Sequence, residues 1–412
     1  MSEERRTMTS AQLDAEDPLA GFRRHFAGSE DGVVSYLDGN SLGRPVLQTA
    51  ARLADFADGA WGRRLIRSWD EAWMEEPTRV GDRLGAVALG AAPGQTVVGD
   101  STSVLLYKLI RAAVDLDPSR AEIVLDRENF PTDRFILEGI AAERGLTLRW
   151  LEVDRAAGVQ PADLRTVLSE RTALVVASHV AYRSGFLADA KAITELTHDA
   201  GALILWDLSH SAGSVPVHLD AWRADLAVGC SYKYLNGGPG APAFGYVRAG
   251  LHSRLSQPIW GWMGADDPFA MDRDYRPATG IRQFLTGTPA ILAMQPMKLM
   301  LELIGQAGIE AIRQKSMLLT EHALDLIDDR LVSSGVTVAS PRDPARRGSH
   351  VTIEHPDFRD VCARLWRRGV IPDFRSPSGI RIGLSPLSTT FAELELGVEA
   401  IGEELVEAEN RR

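Results

Sequence analysis

From about residue 96 the chain alternates between short, almost unbroken apolar runs and longer stretches of mixed polarity. The runs cover residues 123–125, 146–153, 173–177, 202–206, 226–228 and 243–247. Apolar runs of this length fit strands buried on both faces. Several are separated by segments with helical spacing, such as residues 103–115 and 188–199. Strand alternating with helix predicts an α/β fold: a mostly parallel sheet flanked by helices on both sides.

The flanking regions follow other patterns. Residues 1–45 predict an arm belonging to a smaller domain, with a short helix near 10–27 and a strand-like run at 33–37. Asp38-Gly39-Asn40 then carries turn chemistry. Residues 46–90 read as helices, with Trp61, Trp69 and Trp73 set among charged positions. A helix-rich stretch from 289 to 317 leads into an α+β region with strand-like runs at 351–354 and 379–383. The expected division is an arm (1–45), a large cofactor-binding domain (46–290) and a small C-terminal domain (291–412).

Bulk properties narrow the function. A net charge of −11 argues against nucleic acid or an anionic membrane as a general partner. Two cysteines far apart, Cys230 and Cys362, suggest neither a disulfide framework nor a CxxC metal site. With no leader pattern and no membrane-length apolar run, the expectation is a cytoplasmic protein.

The choice of cations is more informative. Of 45 Lys+Arg only five are lysines: Lys108, Lys191, Lys233, Lys298 and Lys315. Lysine alone offers a primary amine that can lose its proton and attack a carbonyl. Lys233 follows the apolar run that ends in Cys230 and opens Lys233-Tyr234-Leu235-Asn236-Gly237-Gly238. The preceding run ends at Trp206-Asp207. A carboxylate at one strand end and a lysine beyond the next suit pyridoxal 5'-phosphate (PLP). The lysine forms the Schiff base, and the carboxylate keeps the pyridine nitrogen protonated. Asp100-Ser101-Thr102-Ser103, directly before a helix expected from Val104, offers a phosphate seat of unpaired N–H groups and helix dipole.

Two other patterns carry less. Gly39-Asn40-Ser41-Leu42-Gly43 matches the nucleophile elbow of α/β-hydrolases, but it precedes the sheet and explains itself as a turn. Gly237-Gly238-Pro239-Gly240 lacks the Lys-Ser/Thr ending of a P-loop. The nine histidines show no metal spacing.

Taken together, these residues resemble the kynureninase family, PLP enzymes of fold type I. The motifs that carry the resemblance are Tyr36-Leu37-Asp38-Gly39-Asn40-Ser41-Leu42-Gly43, Asn129-Phe130-Pro131-Thr132-Asp133, Trp206 to Gly213, and Ser231 to Gly238. The resemblance implies cleavage of the Cβ–Cγ bond of L-kynurenine or 3-hydroxykynurenine, giving an anthranilate and L-alanine. It also implies roles. Lys233, Asp207 and Tyr232 would be catalytic. Thr102, Ser103, Ser178 and Tyr232 would contact the phosphate. Phe130 would stack on the ring, with Asp133 and His210 beside it. Trp262 and Thr288 would reach the cofactor from the second subunit of a homodimer. Arg381 would clamp the substrate carboxylate, and Trp69 would lie near its aromatic end.

Three positions depart from the family pattern: Ala265 where histidine is usual, Leu105 for asparagine, and Asp70 for asparagine. On the expected substrate side, these leave open a second reading. That is a C–S β-lyase or decarboxylating aminotransferase-like enzyme on the same scaffold.

Overall fold

A computed structural model describes residues 8–28, 32–271 and 273–411. Strand β1 is Ser35–Tyr36; strands β2 to β8 are Thr96–Gly99, Glu122–Asp126, Thr147–Leu151, Thr172–Ser178, Leu203–Asp207, Leu226–Gly229 and Ala243–Val247. β2 to β8 form one seven-stranded sheet in the order β2-β8-β7-β6-β5-β3-β4. Every expected strand of this region is present, and Thr96–Gly99 is added. That edge strand is only four residues long, so its periodicity is weak in the sequence.

One direction differs from a purely parallel sheet: β8 runs antiparallel to both β2 and β7. Residues 230–242, which join β7 to β8, contain tight turns and no helix. A parallel pair needs a long crossover, which this loop does not supply.

Successive residues of each strand point to opposite faces. Ile123, Leu125, Leu174, Val176 and Leu205 pack with Leu106, Leu109 and Ile110 of the helix Thr102–Val114. Val124, Val175, Ile204 and Trp206 pack on the other face with Met297, Leu301 and Ile304 of the helix Gln295–Ala307. The sheet is therefore covered on both sides, as the apolar runs predict.

A second core joins distant parts of the chain. Strands β9 to β13 are Thr337–Val338, His350–Glu354, Val370–Ile371, Asp373–Arg375 and Gly379–Gly383. β12-β13-β10-β9 form an antiparallel sheet, and β1 pairs in parallel with β11. Leu13 and Leu37 pack here with Leu319, Ile327, Val351, Ile382 and Phe391. The helix expected over 10–27 is broken into Ser10–Ala15 and a 3-10 turn, Ala20–His25. Pro18 disfavours helical backbone at Asp17, which separates the two. Asp17 instead pairs with Lys315 at 2.6 Å, both side chains 4% exposed. The expected strand at 33–37 shrinks to two residues. Among the described residues, no helix is long and apolar enough to cross a membrane.

Candidate active site

The carboxyl ends of β5, β6 and β7 lie side by side, with Ser178 opposite Asp207 and Asp207 opposite Val228. Ligands of open α/β sheets bind at such an edge. Asp207 is buried, and one of its oxygens accepts the backbone N–H of Ser209 at 2.8 Å. The turn after β7 places Lys233. It closes through the N–H of Gly237 to the carbonyl of Ser231 (2.8 Å) and the N–H of Asn236 to that of Lys233 (3.0 Å). Asn236 takes a left-handed conformation, φ 49°. Gly43 lies hard against this turn, and a Cβ there would stand 2.3 Å from the carbonyl oxygen of Lys233.

The five lysines now separate. Lys108 pairs with Asp100, Lys191 with Glu195, Lys298 with Glu76 and Lys315 with Asp17. Among the described residues, Lys233 is the lysine with an imidazole rather than a carboxylate partner: Nζ lies 3.0 Å from Nε2 of His210. Burial, then the charge of Lys233, holds His210 well below the usual histidine range, so the ring is neutral. The Phe130 ring lies on the same side, with Nζ 5.8 Å from its centroid.

Asp133 is fully buried, and its Oδ2 has no hydrogen-bond partner. Burial, with the neighbouring charges of Asp207 and Asp126, raises its carboxyl well above the usual range, while Lys233 acts in the opposite sense. Phe130 is held edge-on by Tyr182, ring centroids 5.3 Å apart. The Ser178 hydroxyl donates to Oδ1 of Asn129 at 2.9 Å. Burial raises the Tyr232 phenol, followed by the effect of Cys230.

The helix start expected to seat a phosphate differs in one respect from the sequence reading. The helix begins at Thr102, not Val104, and Ser101 is its cap, accepting the N–H of Val104 at 3.4 Å. Thr102 and Ser103 thus stand in the first turn, where backbone N–H groups lack intrahelical partners.

Arg381 is 1% exposed and more engaged than its sequence context suggests. Nε donates to Asp373 Oδ2 (2.7 Å), Nη1 to the Tyr182 carbonyl (2.7 Å) and Nη2 to Ser41 Oγ (2.9 Å). Nη2 also lies 2.5 Å from Asp373 Oδ2. Three of the five N–H donors are therefore used within the protein, and the ion pair with Asp373 holds the fork further. Ser41, the hydrolase-like serine, sits between Arg381 and Asp38, so its hydroxyl is a polar bridge. Asp38 was singled out from the sequence only as a turn and motif residue, and Asp373 and Tyr182 were not singled out. Neither was His350, whose buried ring packs 5.5 Å from that of His210 with both nitrogens unpartnered.

The remaining expected residues are dispersed. Trp262 and Thr288 are exposed, and Trp262 packs on Phe269. Trp69 stands edge-on to Trp73 at 5.3 Å. Among the departures, Asp70 is exposed and Ala265 half-buried, but Leu105 is 1% exposed and packed among core residues beside Gly245. The Leu105 difference therefore concerns packing rather than the substrate side.

A buried amine on a neutral imidazole, two neighbouring buried carboxyls, an aromatic face and a helix N-terminus form a donor set that fits PLP. Asp133 Oδ2 and His210 Nδ1 are buried polar atoms without partners, as expected where a polar group belongs. The fold agrees. The structure superimposes on an apo cysteine desulfurase from Thermococcus onnurineus NA1 with a TM-score of 0.80 at 18% identity, covering 94% of this chain and 98% of that one. A cysteine desulfurase from Escherichia coli gives 0.79 at 16% identity, covering 94% and 98%. The fold, with the sequence relatives that follow, defines a PLP-dependent enzyme of fold type I.

Sequence relatives narrow the class. The kynureninase of Pseudomonas fluorescens is 43% identical over 399 residues, 95% of this chain and 93% of that protein. The kynureninase of Burkholderia pseudomallei (strain 1106a) is 42% identical over 396 residues, 94% and 93%. Residues 312–401 match the family model described as the kynureninase C-terminal domain. The chain belongs to the kynureninase family.

Proposed function

We propose that this chain is a PLP-dependent hydrolase that cleaves the Cβ–Cγ bond of L-kynurenine or 3-hydroxykynurenine, releasing an anthranilate and L-alanine. The observation that carries the reading is the Lys233 amine, buried and set against neutral His210 rather than an acid. PLP, when bound, supplies an electron sink for the electron pairs freed at the α- and β-carbons of the substrate.

The protein's own groups do the rest. Lys233 would hold the cofactor and would move the proton at the substrate α-carbon. Asp207 keeps a proton on the pyridine nitrogen, with Asp133 beside it. Phe130 stacks on the ring, and His210 lines it while steadying Nζ of Lys233. Thr102, Ser103, Ser178 and Tyr232 would hold the phosphate, and the half-buried Tyr232 phenol keeps its proton for donation. Arg381 binds the α-carboxylate, and Trp69 borders the aromatic end.

The working unit is a homodimer in the cytoplasm, with Trp262 and Thr288 of one subunit completing the site of the other. Exposed Trp260, Trp262, Phe269 and Met271 support that assembly, as does an apolar cleft of about 750 Å³ lined by Leu42, Pro45, Leu53 and Ile291. We also place the boundary of the smaller unit within the helix Ile309–Arg330 rather than near residue 290. Ile312 packs in the core of the large sheet, and Leu319 in the second core.

The test is fluorescence of released anthranilate from L-kynurenine, run beside 3-hydroxykynurenine, with PLP-loaded protein. Turnover of either is expected. No release from protein that visibly holds PLP would overturn the reading and direct attention to thioether amino acids.

A further inference from the structure

Lys108 is a fully buried lysine with no part in the proposed chemistry. Its side chain is 0% exposed, yet it carries a charged group. Nζ donates to Asp100 Oδ2 at 2.5 Å and to the carbonyl of Phe284 at 2.9 Å. Both partners belong to segments that lead to residues assigned above to the cofactor, Thr102 and Ser103 to its phosphate and Thr288 to the site of the other subunit. Asp100 holds a left-handed conformation, φ 48°, next to the helix cap Ser101. Its carbonyl accepts the N–H of Ala243 in β8 at 3.0 Å, so the loop is fixed to the sheet. Phe284 ends the short turn Gly280–Phe284, four residues before Thr288.

The charge of Asp100 poses a problem for an anion seat. Its side chain is 26% exposed, and it directly precedes the N–H groups of Ser101, Thr102 and Ser103. A carboxylate there repels a phosphate dianion and cancels part of the helix-terminus attraction. An ammonium at 2.5 Å neutralises it. No other cation is in ion-pair contact with Asp100 among the described residues.

We propose that Lys108 is a positioning residue for PLP, which masks the charge of Asp100 beside the phosphate seat and ties that seat to the segment leading to Thr288. The proposal rests on the PLP reading above. It does not place Lys108 in contact with the cofactor.

The test uses the full-length protein stripped of PLP and then titrated with PLP or with pyridoxal, which lacks the phosphate. Binding is followed by the visible absorption that depends on Lys233. Lys108→Met is expected to weaken PLP about tenfold, equivalent to about 1.4 kcal/mol, and pyridoxal much less. Lys108→Met combined with Asp100→Asn should regain most of the lost affinity, because the charge to be masked is gone. Asp100→Asn alone should bind PLP no more weakly than the parent. Unchanged PLP binding by Lys108→Met, an equal loss for pyridoxal, or no recovery in the double variant would each overturn the proposal. If Lys108→Met does not fold, weaker PLP binding by Asp100→Asn does so instead. Absence of any Lys233-dependent absorption in the parent would sink the PLP reading itself, which separates the two failures.

Discussion

Asp373 grips Arg381 through one oxygen: Oδ2 lies 2.7 Å from Nε and 2.5 Å from Nη2. The same oxygen is 2.7 Å from Nε of Arg375. Three charges thus share one atom, and the fork of Arg381 is fixed before any substrate arrives. Pre-set geometry lowers the ordering cost of binding. Asp373→Asn should leave the shape and remove the charge. The expected result is a rise in KM for L-kynurenine of about tenfold or more, from a lost charge-assisted pair worth ~1.5–3 kcal/mol. Steady-state kinetics read this directly. An unchanged KM would show that Arg381 is held by Tyr182 and Ser41 alone.

Two lysine variants should part company. Lys233→Ala removes the amine beside His210 and is expected to reduce anthranilate release to background. Lys191→Ala removes an exposed lysine 4.0 Å from Glu195. Surface pairs of that kind contribute ~0–1 kcal/mol, so turnover should be unchanged. Normal turnover in the Lys233 variant would refute the site assignment.

Gly43→Ala tests the turn that carries Lys233. The added methyl would stand 2.3 Å from a backbone oxygen, which cannot swing aside as a flexible side chain would. Overpacking of this kind costs ~1–3 kcal/mol. A lower Tm together with weaker PLP retention is expected. A variant with parental Tm and full PLP content would mean that the turn shifts freely.

Asp38 should leave a pH signature. Burial and the nearby Asp373 push its carboxyl up from 3.8 to about 6. The folded state therefore binds this proton more tightly than the unfolded chain. The resulting stabilisation is complete below the unfolded value and is lost as pH rises toward 6. Asp38→Asn carries no such dependence. The Tm of the variant relative to the parent should climb between about pH 4 and about pH 7 and then level off. A two-unit shift bounds the effect at roughly 3 kcal/mol. A flat difference across that range would contradict the assignment.

Much of the sheet could be read from the chain because its strands are buried on both faces, and continuous apolar runs signal that directly. Lys233 and Asp207 stood out as candidates for a different reason: lysine is scarce, Asp207 ends one apolar strand and Lys233 lies beyond the next. The reversed direction of β8 was hidden because direction depends on the connecting loop, whereas hydrophobicity is the same either way. Asp373 was hidden because one acid among 56 Asp+Glu has no local mark. Its partner Arg381 sits across a strand pair, and only β12–β13 pairing places Asp373 opposite Arg381. Leu105 was misplaced for a related reason, since a two-residue offset from the phosphate seat does not tell which helix face points inward.

The second core also sets an order on biosynthesis. Leu37 leaves the ribosome about 280 residues before Leu319, its neighbour in that core. At ~5–20 residues per second, the early segment waits tens of seconds for its partners. Asp38 and Ser41 belong to that early segment, and Arg381 emerges near the end. The nascent chain can therefore assemble its large sheet before Arg381, proposed above as the carboxylate anchor, has been made. On that proposal substrate recognition is the last property the polypeptide acquires, and a chain truncated before β13 should fold much of its mass yet fail to bind substrate.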